Sequence, residues 1–227
     1  MGRHSQTDAV TAVAALADPS RRSVYEFVLA SAAPVSRDDV AGKLGMVRGT
    51  AAFHLDRLAR EELLTVSYRR LTGRSGPGSG RPTKLYAPTV REVSVSLPQR
   101  HYDFAAELLA AAVEESTRTG KPVDETLSRA AAQAGAEIGS EGKLEDALAE
   151  YGYQPVRDED GSIIMRNCPF HRLSKSHTAT VCGMNLDLLA AATAASEPCG
   201  CSAVLDPAPG RCCVRILPPE TGSGMQA

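Results

Sequence analysis

All six cysteines of this 227-residue chain fall in its last third, at Cys168, Cys182, Cys199, Cys201, Cys212 and Cys213, with His171 and His177 among them. That distribution constrains the fold more than any other feature. Thiols this far apart share a centre only if the chain brings distant elements together, and such a centre couples its occupancy to the packing of a whole domain. Gaps of 13 residues between Cys168 and Cys182 and 16 between Cys182 and Cys199 are unlike the two close ligand pairs of a zinc finger or ribbon. In a reducing cytosol, thiols at this density are expected as metal ligands or redox groups, not as a disulfide framework.

Charge divides the chain in the same way. Residues 1–92 carry 14 Lys and Arg against 9 Asp and Glu, whereas residues 93–227 carry 11 against 18. Affinity for a polyanion is therefore expected in the first part. No apolar run is long enough to span a bilayer, and the N-terminus lacks the apolar region of a secretory signal. A cytoplasmic protein without a membrane partner is expected.

Helical periodicity is expected over 10–16, with Val10, Val13, Ala14 and Leu16 on one face; over 21–30, with Val24, Phe27, Val28 and Leu29; and over 38–44, capped by Ser36. Gly45 turns the chain into a fourth helix over 47–61. Its Ala51, Leu55 and Leu58 should face a core, leaving Arg48, Thr50, His54 and Arg57 projecting outward, as a helix in a DNA groove requires. Strands are expected over 64–70 and 82–87. The glycine-rich loop between them is bracketed by Arg69, Arg70, Arg74, Arg81 and Lys84, cations placed where a hairpin tip meets a sugar-phosphate backbone.

This order of elements, with Leu44-Gly45-Met46-Val47-Arg48-Gly49-Thr50, His54-Leu55-Asp56-Arg57-Leu58 and the tract from Gly73 to Tyr86, resembles the ArsR-like winged-helix regulators over roughly the first 90 residues. The resemblance implies a double-stranded DNA operator as partner. Residues 101–117 carry Phe104, Ala105, Leu108, Leu109, Ala112 and Val113 as a wide apolar stripe. Two-fold operators require two-fold proteins, so this helix is expected as the seam of a homodimer on a palindromic site. Helices over 123–138 and 142–151 carry no evident chemistry.

Strands over 153–156 and 162–165 lead into Cys168. Cys182 is expected near the N-terminus of a helix starting at Leu186, where unpaired amides favour the thiolate. Cys212 and Cys213 open a strand; neighbours on a strand face opposite ways, so one of the pair is expected to be a bystander unless the strand is irregular there. The fold class expected is α+β: a winged helix-turn-helix over 1–92, dimerisation helices over 93–151, an α/β cysteine-cluster sensor over 152–218 and a flexible tail over 219–227.

A winged helix, then helices, a Gly-Tyr-x-Pro hairpin at 152–155, Cys-Pro-Phe at 168–170 and widely spaced cysteines is similar to the SufR family of iron-sulfur-sensing repressors across nearly the whole chain. That resemblance implies a cluster held by Cys168, Cys182, one of Cys199 and Cys201, and one of Cys212 and Cys213, with His171 and His177 secondary. Ligand softness alone leaves zinc, or thiol oxidation, as the alternative. A metalloenzyme or thiol oxidoreductase fused to a DNA-docking domain is the rival from another class. The chain lacks a nucleotide-binding Gly-rich fingerprint and an evident acid/base pair, so no catalysis is expected.

Overall fold

The computed structural model describes residues 6–70, 82–89, 92–196 and 200–219. The protein is α+β, with two small antiparallel sheets, and divides into two compact units, Met1–Val95 and Ser96–Ala227. Among the described residues no helix is long and apolar enough to cross a membrane.

The first unit runs α1 (Gln6–Ala15), α2 (Pro19–Leu29), β1 (Val35–Ser36), α3 (Arg37–Leu44), α4 (Arg48–Arg60), β2 (Leu64–Arg69) and β3 (Thr83–Pro88). Local chemistry sets these boundaries. Asp18 accepts from the Arg21 amide to cap α2, with Pro19 at its first position. Ser36 and Asp39 form a reciprocal capping box on α3, and Gly45, at φ 64°, closes that helix in the left-handed region. Helix α4 ends in a Schellman turn, with Leu63 N donating to Leu58 O at 3.0 Å and Glu62 N to Ala59 O at 3.1 Å.

Val24, Val28, Val40, Ala51, Leu55, Leu58, Leu64 and Tyr86 make this unit's core. Helix α1 joins it through Ala12 and Ala15, whereas Val10 and Val13, expected to face inward, are exposed. Leu29 of α2 is exposed as well. The sheet order is β1-β3-β2, with Val35 opposite Tyr86 and Val66 opposite the same residue on the other side. Strand β1 has two residues, too few for the alternation that marks a strand in sequence.

The second unit comprises α5 (Tyr102–Thr119), α6 (Val123–Gly139), α7 (Leu144–Glu150), β4 (Pro155–Arg157), β5 (Ile163–Met165), α8 (His171–Ser176), α9 (Thr178–Ala195), β6 (Ser202–Leu205) and β7 (Val214–Leu217). Its sheet order is β4-β5-β7-β6. The expected boundary at 151/152 falls inside this unit, because Ala105, Leu108, Ala112, Ile138 and Leu148 share one core with Ile163, Met165, Leu188, Leu189 and Ile216. Strands of three or four residues cannot bury a face without the helices beside them. Val113 of the expected apolar stripe remains exposed.

The tightest packing in this unit joins α6 to α9. Gly135 and Gly139 lie one turn apart on α6, and a Cβ on them would sit 2.0 Å from Leu188 O and 2.1 Å from Ala192 O. Leu188 and Ala192 are likewise one turn apart on α9, so the two backbones meet directly, and only glycine permits it. Gly135→Ala is therefore expected to destabilise the second unit by about 3 kcal/mol, the upper end of core overpacking. Gly183→Ala on α9, whose Cβ meets nothing within 4 Å, should stabilise by about 0.5–1 kcal/mol; thermal or denaturant unfolding of the two variants checks the contrast.

Candidate functional site

Three separate elements deliver four thiols to one place in the second unit. Cys168 lies in the turn after β5, Cys182 in the second turn of α9, and Cys212 and Cys213 in the bend ahead of β7. The fully buried ring of Phe170 anchors the first of these turns against Tyr153 and Phe104. The Cys212 amide donates to Met165 O at 2.8 Å, which ties the third to β5. Cys168, Cys182, Cys212 and Cys213 are all free thiols; the first three are buried and Cys213 is half-buried.

The sulfurs form a chain of contacts in which Cys212 hydrogen-bonds with both Cys168 and Cys213, and Cys213 with Cys182. Asn185 of α9 donates its Nδ2 to Cys212 Sγ at 3.2 Å. The buried Tyr153 hydroxyl donates to Asn185 Oδ1, which fixes the amide with its NH2 toward the sulfur. These donors converge on one atom.

Hydrogen bonds from Cys168 and Cys213 outweigh burial and, with the Val214 amide and Asn185, push the Cys212 thiol down to about 3. Cys168 is held well above the ordinary thiol range because it donates to Cys212 and is buried, and Cys213 is raised for the same two reasons. Of these three thiols Cys212 is the one whose ionisation is favoured, with Cys168 and Cys213 directed at it as donors. Burial, reinforced by the facing Cys212 charge, likewise keeps the Tyr153 phenol protonated.

A cavity of about 280 Å³ opens beside the four sulfurs, with His171, Lys175 and Arg211 among its lining side chains. The cavity wall is sulfur on one side, with Lys175 and Arg211, the latter bonded to Asp206 at 2.6 Å, on the rim. Among the described residues no three Cys, His, Asp or Glu side chains are gathered around one point as ligands to an ion.

Several expectations change here. Cys212 and Cys213 both join the cluster, since they precede β7 in irregular backbone and strand alternation does not govern them. Helix α9 starts at Thr178 and not at Leu186, so Cys182 sits beyond the first-turn amides that would favour its thiolate. Cys201 is not among the free thiols and lines a different cavity, beside Ser196 and Leu217. Cys199 lies outside the described residues. His171 borders the thiol cavity, whereas His177 is exposed and does not line it.

The Cys168 turn is strapped to the first residues of the unit. Arg100 Nη1 donates to Asn167 Oδ1 and, at 2.8 Å, to Cys168 O; His101 N donates to Pro169 O at 3.2 Å. Asn167 Nδ2 returns bonds to Gln99 O and Gly152 O, and the Asn167 side chain is buried.

In the first unit, α4 presents a mixed face. Thr50, Arg69 and Arg70 are exposed. Arg48 pairs with Asp38 at 2.9 Å and Arg57 with Glu61 at 2.7 Å. Lys84 is engaged by Asp56 of α4, which also accepts from Tyr86 OH at 2.7 Å, so β3 is pinned to α4. Arg74 and Arg81 lie outside the described residues.

His54, expected to point outward, is buried, with its Nδ1 unpartnered among the described residues. Positions 51, 54, 55 and 58 form one helical stripe, so the spacing itself assigns His54 to the core. Phe53, 62 % exposed, takes the outward place.

Searches against models of protein families, curated proteins and solved structures return no match to this chain.

The Asp56 pair has a pH signature. Burial opposes the charged carboxylate, but hydrogen bonds from Lys84 and Tyr86 and the cations nearby overcome it and hold Asp56 below its ordinary 3.8. A depressed carboxyl contributes stability that is present above the unfolded value and is lost as pH falls through the folded one. Asp56→Asn should therefore cost about 1 kcal/mol near neutrality, discounted for exposure. Its deficit relative to wild type should close below pH 3.8, as measured by urea unfolding across pH.

Proposed function

We propose that this chain is a cytoplasmic, DNA-binding transcriptional regulator rather than an enzyme, with the first unit as a winged helix-turn-helix and the second as a sensor that holds an iron-sulfur cluster. The observation that carries the reading is the convergence of Cys168, Cys182, Cys212 and Cys213 beside one cavity. On this reading α4 is the recognition helix, the β2–β3 hairpin is the wing, and the exposed Thr50, Arg69 and Arg70 with Arg48 and Arg57 meet DNA. Lys84 serves the wing as a strut to Asp56. A homodimer on a palindromic operator follows from the two-fold logic of such modules.

Four sulfurs without a carboxylate beside one cavity are a donor set of soft-metal character, and since the described residues gather no three ligands around one point, holding a centre would require these thiols to turn toward the cavity. The resemblance to the SufR family is what favours a cluster over zinc, since four sulfurs suit either. When bound, the cluster would supply a one-electron or oxidant-sensitive group whose state differs between conditions. The donors to Cys212 favour its ionisation, and Cys168 and Cys213 would have to give up the protons they direct at it. Asn185 and Tyr153 orient the Cys212 sulfur. Turning Cys168 toward the cavity would pull on its carbonyl and so on Arg100, the strap that follows directly from the end of the first unit at Val95. That is how occupancy would be felt by the DNA-binding unit.

The full chain purified without oxygen is expected to contain iron and acid-labile sulfide and to bind duplex DNA with strong salt dependence. Cys168→Ser and Cys212→Ser should lose the metal, while Cys201→Ser keeps it. Zinc in place of iron would convert the reading to a zinc sensor, and retention of metal in both serine variants would overturn the site. Arg100→Ala should leave metal content intact yet abolish the difference in DNA affinity between loaded and metal-free protein, read by fluorescence anisotropy.

A further inference from the structure

The outward face of α4 carries an aromatic ring that the first unit itself does not use. Phe53 is 62 % exposed, and the buried His54 imidazole packs against it edge-on, with 5.5 Å between ring centroids. Thr50 lies one turn before it and Arg57 one turn after, on the same side of the helix. Val47, also exposed, begins the helix without a side-chain cap, and a Cβ on Gly49 would meet nothing within 4 Å. Glycine in a first turn weakens a helix, and no packing within this unit calls for it there; it leaves room for another backbone to approach.

We infer that Phe53 reads a thymine in the major groove by packing its ring on the C5-methyl group. Thymine is the one base that offers an apolar group at that edge, and phenylalanine is among the side chains that meet it. The setting favours a nucleic-acid occupant over a protein. Arg57 and Arg60 follow Phe53 one and two turns on along the same side of α4, and one ring and one valine fall far short of the roughly 800 Å² per partner of a stable protein interface. Held edge-on by a buried imidazole, the ring reaches the groove with little rotamer freedom to lose. His54 is thus a positioning residue behind a specificity-determining one. The inference rests on the DNA-binding reading and adds the chemical feature read.

The test takes duplexes enriched by the full-length protein from a random-sequence pool and replaces each thymine in turn by deoxyuridine, which removes only the methyl group. Wild type is expected to lose about fourfold in affinity at one thymine per half-site, the worth of one buried methyl. Phe53→Ala, a change at an exposed position that should leave thermal unfolding unaltered, is expected to bind thymine and uracil duplexes alike while keeping the salt dependence of wild type. Enrichment of a sequence in which no thymine matters, or discrimination that survives in Phe53→Ala, would overturn the assignment of Phe53 while leaving DNA binding intact. Failure to bind or enrich any duplex would overturn the DNA-binding reading itself, and this inference with it.

Discussion

The second unit depends on the direct meeting of the α6 and α9 backbones at Gly135 and Gly139. Helix α9 buries one broad face, with Val181, Met184, Leu188, Leu189 and Ala192 in the unit's core, and packs there against α6 and the sheet. It also carries Cys182 and Asn185. The close approach sets the depth at which those two side chains meet the bend ahead of β7. A displacement of α9 by one methyl group would be transmitted to Cys212 through Asn185, because a close-packed interior has no slack to absorb it.

Within the cluster, one sulfur is treated differently from the rest. Cys212 receives donors from two thiols, a backbone amide and a side-chain amide, whereas Cys168 and Cys213 are donors to it. Tyr153 sits behind Asn185 as the buried group that orients it. The arrangement separates roles among chemically identical residues by hydrogen bonding alone. It also makes the turn holding Cys168 a junction, since that turn is bonded to Cys212 on one side and to Arg100 on the other.

In the first unit the comparable constraint is the link from α4 to the sheet. Asp56 takes both Lys84 and Tyr86, so the orientation of the helix and of β3 are not independent. Cations that a sequence would count as free for phosphate are partly committed: Arg48 to Asp38, Arg57 to Glu61 and Lys84 to Asp56. Exposed ion pairs of this kind are weak enough to exchange partners when a polyanion arrives. Their effect in the free protein is to hold long side chains in place on the helix surface.

The order of the four helices and of β2 and β3 in the first unit, the capping of α2 and α3, the placement of β5 and β7, and the presence of thiols at one end of the chain were legible in the amino-acid sequence, because caps, glycine turns and short apolar runs are local signals; the two-residue β1 left no such signal. Periodicity also contains the burial of His54, although its polarity argues against it, and places Phe53 outward although its apolar ring argues for the core. What tertiary structure alone decided is which thiols meet. Cys212 and Cys213 join because the backbone before β7 is irregular, and Cys201 is drawn to another cavity. The middle helices merge with the cysteine-bearing strands because neither set buries its apolar face alone. Such outcomes depend on distances between residues far apart in the chain, and no local pattern encodes them.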